Sequence, residues 1–182
     1  MVGKARPTFE LRLVDQDGSD VPPGEPGEIL LRGASVMLEY LDDPEATAQA
    51  LSPDGWLKTG DIGQRTDRGF LKIVGRSKDM FIVAGFNGYP AEIESALLRH
   101  PGVQQAAVIG IPDGRLGEVG MASVVPSAGS TVTADKIIEW SRQQMANFKV
   151  PRVVELVDEL PLNATGKVMK DALRQRSATR PS

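Results

Sequence analysis

Gly75-Arg76-Ser77-Lys78-Asp79-Met80 divides this 182-residue chain into two kinds of pattern. It gathers charge at a composition shift, where a hinge between two units would lie. Upstream, the sequence reads as β-structure. Thr8-Phe9-Glu10-Leu11-Arg12-Leu13-Val14 alternates, and Asp15-Gln16-Asp17-Gly18 supplies a turn. Val21 to Gly27 is a Pro- and Gly-rich loop, and Glu28-Ile29-Leu30-Leu31-Arg32 is a second strand. Asp43 as N-cap and Pro44 at the first helical position predict a short helix to about Leu51. Trp56 to Asp61 and Gly69 to Val74 read as short strands around a polar turn.

Downstream, strands and helices mix. Gly85 to Tyr89 reads as a glycine loop before a helix from Pro90 to Leu98, with Ile93, Leu97 and Leu98 on one face. Val103 to Ile111 and Ala122 to Pro126 are strands. Thr133 caps a helix carrying Ile137, Ile138 and Met145. Val153 to Val157 is a further strand, Lys170 to Arg176 a last short helix, and Ser177 to Ser182 a disordered tail. The expected class is α+β.

Composition narrows the function. Apolar residues make up 41% and charged residues 25%, with a net charge of −3, an ordinary globular balance without the basic stripe of a nucleic-acid binder. With no cysteine, disulfides and thiolate metal sites are excluded. The single histidine, His100, stands before Pro101-Gly102 at a helix end and reads as structural, so no metal site is expected. No apolar run approaches the roughly 20 residues of a membrane span. Met1 to Pro7 lacks the apolar core of a signal peptide, and a cytoplasmic setting is the simplest expectation.

Four segments carry possible chemistry. Gly27 to Gly33 followed by Tyr40-Leu41 is a strand with glycine at its ends. In Trp56-Leu57-Lys58-Thr59-Gly60-Asp61, a carboxylate after a tight Gly turn offers two acceptor oxygens to a diol such as a ribose; an ordinary turn aspartate has the same local sequence. In Gly75 to Met80 and Gly85-Phe86-Asn87-Gly88-Tyr89-Pro90, glycine could let a thin ligand pass close to backbone, or the segment could be a charged linker and a loop. Leu160-Pro161-Leu162-Asn163-Ala164-Thr165-Gly166-Lys167-Val168 is no Walker loop, because Pro161 stands where that motif needs glycine. It presents Lys167 on a flexible, glycine-preceded loop, either as a mobile cation for a neighbouring site or as an exposed surface lysine.

In this order, the segments resemble the adenylate-forming superfamily of acyl-CoA synthetases, adenylation domains and luciferases. The resemblance runs from about Gly3 to Arg174. Pro112 to Glu118 and Asn147-Phe148-Lys149-Val150-Pro151-Arg152 bring it nearest to fatty-acid-type acyl-CoA ligases. It implies ATP with Mg, CoA and a carboxylic acid as reactants. It implies that Asp61 binds the ribose hydroxyls and that Arg76 approaches the nucleotide. By the same likeness Lys78 is the hinge and Lys167 serves adenylation. Gly85 lies beside the pantetheine channel, with Phe148 and Arg152 near the CoA nucleotide. Many relatives carry aspartate where Lys78 stands.

The resemblance also implies an organisation. Residues 1–76 would be a β-barrel-like terminal segment of the large adenylating domain, and residues 77–182 its mobile lid. The phosphate-binding loop and acyl pocket of the family lie upstream of these segments. The chain is therefore expected to need that N-terminal domain as partner and to be inactive alone. A fragment serving a carrier protein, or a non-catalytic binding module, are the alternatives.

Overall fold

The computed structural model describes residues 3–4 and 6–178. It is a mixed α+β structure that divides into Met1–Lys78 and Asp79–Ser182. Of the tail expected to be disordered, Ser177 and Ala178 are helical, and residues 179–182 lie outside the described residues, as do 1, 2 and 5 of the opening segment.

The first unit is an antiparallel meander, β1 (Phe9–Val14), β2 (Pro26–Gly33), β3 (Leu57–Arg65) and β4 (Leu71–Arg76), each paired with the next. Between β2 and β3 runs helix α1 (Pro44–Ala50), whose first turn is closed by Asp43 accepting from the Ala46 amide. A cap of this kind is a local event, which is why it is legible in sequence. Among the described residues the pairing runs along the path β1-β2-β3-β4, and Gly3 bridges Leu71 of β4. Val14, Leu30 and Trp56 form the core of this unit. Arg32 and Arg12 lie over the Trp56 ring at 4.6 and 5.6 Å, held there by Glu10 and Asp20.

The second unit is built on one long hairpin, β7 (Val103–Asp113) with β8 (Gly117–Pro126). The other edge of β8 is shared. Near its start it meets β5 (Phe81–Val83), which continues into β6 (Phe86–Gly88). Further along it meets β9 (Val153–Leu156), parallel and reached through helix α3 (Ala134–Gln144). Helices α2 (Pro90–Leu97) and α4 (Lys170–Ala178) complete the unit.

Two expectations need correction. Residues 81–88 are a hairpin, so the segment read as a glycine loop from Gly85 is its turn and second strand. Ala84 and Gly85 form its two-residue turn with φ of 49° and 87°, the left-handed pair that matches strand twist. Leu98 does not share the buried face of α2; it is 50% exposed, and Ala96 is buried instead. At 3.6 residues per turn Leu98 lies about 140° from Ile93, whereas Leu97 lies about 40° away.

One packing detail fixes the β5–β8 crossing. The Phe81 ring, 1% exposed, lies over Gly110 and Gly120, which face each other across β7 and β8. A Cβ on Gly88 would stand 2.6 Å from that ring, and one on Gly110 would collide with the Phe81 Cβ itself. The absence of three side chains therefore creates the slot that one aromatic ring fills.

Candidate functional site

The first cluster is set by an irregularity in the first unit's sheet. Lys58 pairs with Leu30 and Ile62 with Glu28, so Thr59, Gly60 and Asp61 lie opposite Ile29 alone. Such a bulge bends the strand and re-aims its side chains. Gly60 takes φ of 70° within it. Thr59 Oγ1 donates to the Ile29 carbonyl at 2.9 Å and accepts from the Asp61 amide at 3.1 Å. The turn expected before Asp61 is thus a bulge inside a nine-residue strand.

Across the next pairing, Asp61 is the register partner of Arg76. Arg76 Nε meets Asp61 Oδ1 at 3.0 Å, with the arginine side chain 59% and the aspartate 27% exposed. Two of the sequence-predicted residues therefore meet, and the guanidinium remains open to solvent. A carboxylate braced in this way can accept from the two hydroxyls of a diol. Lys78 follows in the single 3-10 turn Ser77–Asp79 and is exposed.

The second cluster lies on the second unit. Gly85 is exposed at the β5–β6 turn, and a side chain there would meet nothing within 4 Å. Its backbone angle, rather than crowding, calls for glycine. The next residue, Phe86, stacks on Phe148 with ring centroids 5.0 Å apart and planes 21° from parallel. Lys149 Nζ sits 5.5 Å from the Phe148 ring and pairs with Glu92 at 2.6 Å. Arg152 donates to Asn147 Oδ1 at 3.0 Å, on the turn that carries Phe148. Gly85, Phe148 and Arg152 are thus linked through Phe86 and Asn147, two residues to which sequence reading gave no role. The exposed aromatic face with flanking cations suits a planar base and its phosphates.

The third cluster surrounds Lys167. Leu162 and Val168 bridge, and Asn163 and Gly166 close a tight loop between them. The Asn163 carboxamide oxygen accepts from the Thr165 amide at 3.0 Å, the Thr165 hydroxyl at 2.8 Å and the Lys167 amide at 2.9 Å. The loop expected to be flexible is internally braced. Its base is fixed as well: Val168 packs against buried Leu160 and Leu173, Lys170 pairs with Glu94 at 2.9 Å, and Arg174 pairs with Asp79 at 3.1 Å. Lys167 itself is exposed, and among the described residues no carboxylate pairs with its ammonium.

His100 is structural. Its Nδ1 accepts from the Gly102 amide at 3.0 Å and its ring meets Trp140 edge-on at 5.3 Å. Among the described residues no group of three or more His, Asp or Glu could hold a metal, and no helix is long and apolar enough to cross a membrane.

Comparison with known proteins places the chain in a class. Residues 92–167 match the AMP-binding enzyme C-terminal domain, and residues 1–41 match the AMP-binding enzyme family. The chain corresponds to the C-terminal part of the adenylate-forming enzymes. Within that class its relatives include acyl-CoA ligases. It is 53% identical, over 95% of its length, to the 3-[(3aS,4S,7aS)-7a-methyl-1,5-dioxo-octahydro-1H-inden-4-yl]propanoyl:CoA ligase of Rhodococcus jostii, covering 32% of that enzyme. It is 44% identical over 97% of its length to a long-chain-fatty-acid–CoA ligase of Escherichia coli, covering 31% of it. Among solved structures, ATP-bound MatB from Rhodopseudomonas palustris superposes with a TM-score of 0.89 at 39% identity, over 97% of this chain and 35% of that one. The chain therefore spans about a third of the length of the curated relatives it matches.

Proposed function

We propose that this chain supplies the C-terminal part of an ATP-dependent acid–CoA ligase acting on a fatty acid or another hydrophobic carboxylic acid in the cytoplasm. The observation that carries the reading is the Lys167 ammonium, left without a carboxylate partner on a loop whose backbone is tied down. A cation spent on no internal pair is available to a substrate.

In the first half-reaction a carboxylate oxygen attacks the α-phosphorus of ATP and pyrophosphate leaves. Negative charge crowds between the two reactants. Lys167 offsets the repulsion and orients the attack. Asp61 accepts from the ribose hydroxyls and is itself held by Thr59 and Arg76, whose open guanidinium faces the nucleotide. In the second half-reaction the CoA sulfur attacks the acyl carbon and AMP leaves. Gly85 borders the pantetheine arm, and Phe148 with Arg152 receives the CoA nucleotide end. Lys78 is the pivot between the two states. Magnesium would enter with the ATP phosphates, and no step is assigned to a metal held by these residues.

The test is AMP release from ATP, CoA and a panel of carboxylates. It is run with the chain alone and with the upstream domain of a homologous ligase. Activity only on addition, abolished by Lys167→Ala, is expected. AMP production by the chain alone would overturn the need for a partner. Full activity of Lys167→Ala with the partner would overturn the role of Lys167.

A further inference from the structure

Lys167 combines an exposed side chain with a closely braced backbone. Both its main-chain polar groups go to one residue. Its amide donates to Asn163 Oδ1 at 2.9 Å, and its carbonyl accepts from the Asn163 amide at 2.9 Å. The Asn163 carbonyl then takes the Gly166 amide at 2.9 Å, and its carboxamide oxygen also holds both donors of Thr165. The Asn163 side chain therefore takes three of the five bonds that close the turn from Asn163 to Lys167. An Asx-type bond of this kind substitutes a side-chain acceptor for a backbone one.

The acceptor is also neutral. A carboxylate at this position could accept the same three bonds, yet it would offer the Lys167 ammonium an anion four residues away. The sequence Asn163-Ala164-Thr165-Gly166-Lys167 contains no acidic residue at all. The loop is thus fixed without giving its lysine an internal counter-ion.

We propose that Asn163 is the positioning residue that aims Lys167 at the reacting phosphate. The proposal rests on the adenylation role given to Lys167 above. It predicts that the aim, rather than the fold, is what Asn163 controls, because the base of the loop is held independently by Leu160, Leu173 and the Lys170–Glu94 pair.

Two measurements test it. In the 182-residue chain, amide hydrogen exchange at Lys167 and Thr165 should accelerate in Asn163→Ala and stay slow in Asn163→Asp, with the other amides of the unit unchanged. The second measurement uses an active chimera that joins this chain to the upstream domain of a homologous ligase. There Asn163→Ala should slow adenylation roughly 10- to 100-fold. Thioester formation from a supplied acyl-adenylate should stay unchanged, and Asn163→Asp, which keeps the three bonds but sets an anion four residues from the lysine, should recover the adenylation rate only in part. An equal loss in both half-reactions, or a Lys167 amide still protected in Asn163→Ala, would overturn the proposal. If Lys167→Ala damages adenylation while Asn163→Ala does not, only the positioning role falls. If Lys167→Ala is harmless, the adenylation role falls and this proposal with it.

Discussion

The two charged centres of this chain are built on opposite plans. In the first unit, Asp61 and Arg76 are register partners on neighbouring strands and neutralise each other at 3.0 Å. In the second, Lys167 is held by its backbone alone and its charge is left unspent. A sheet positions side chains through pairing with a distant stretch of chain, whereas a five-residue turn does so through one local side chain. The first plan suits a group that must hold still against a ligand. The second suits a cation delivered to a reaction made elsewhere.

The contrast predicts unequal responses to substitution. The largest should come from the packing that supports the second unit. Phe81→Ala empties the glycine slot and should cost about 3–5 kcal/mol in chemical denaturation. The transition of the first unit should stay where it was. Lys167→Ala should leave both transitions in place and lower adenylation by roughly 100- to 1000-fold in a partnered enzyme. A shifted melting curve for this variant would break the claim that the lysine is structurally idle. Asp61→Asn should act on binding rather than on the reaction. Its pair is half open to water, so stability should change by only about 0–1 kcal/mol, while nucleotide affinity falls, as read by calorimetry.

The smallest effect concerns acid. Glu10 is held below the usual carboxylate range by the hydrogen bond from Arg32, and Asp54 by that from Ser52, both in the first unit. In the second unit, the amides of Arg115 and Leu116 hold Asp113 down likewise. A depressed carboxylate stabilises the fold above its unfolded pKa, and the contribution is lost as pH falls through the folded one. Melting followed below about pH 4 should therefore show a modest loss in both units. Glu10→Gln should lessen it in the first unit only, where Asp54 still contributes.

Legibility in the sequence followed the range of the interaction. The Asp43 and Thr133 caps were readable because each bond spans three residues. The Gly166-Lys167 pair marked its loop, but Asn163 gave no signal beyond its kinship with turn residues, and its three bonds appear only once the loop closes. The bulge that aims Asp61 was hidden, since it exists only as a mismatch with β2, some 30 residues away in sequence. The β5–β6 hairpin escaped because its strands have three residues each, too few to show a period.

The glycine slot around Phe81 has a consequence for how this unit can change. At Gly88 a new Cβ would strike ring atoms, so Gly88→Ala should be tolerated once Phe81 is replaced by leucine, and the paired substitutions should be strongly non-additive. At Gly110 it would strike the Phe81 Cβ, which every residue but glycine carries, and no trimming of the ring relieves it. One of these glycines can therefore drift in step with its neighbour, and the other is locked.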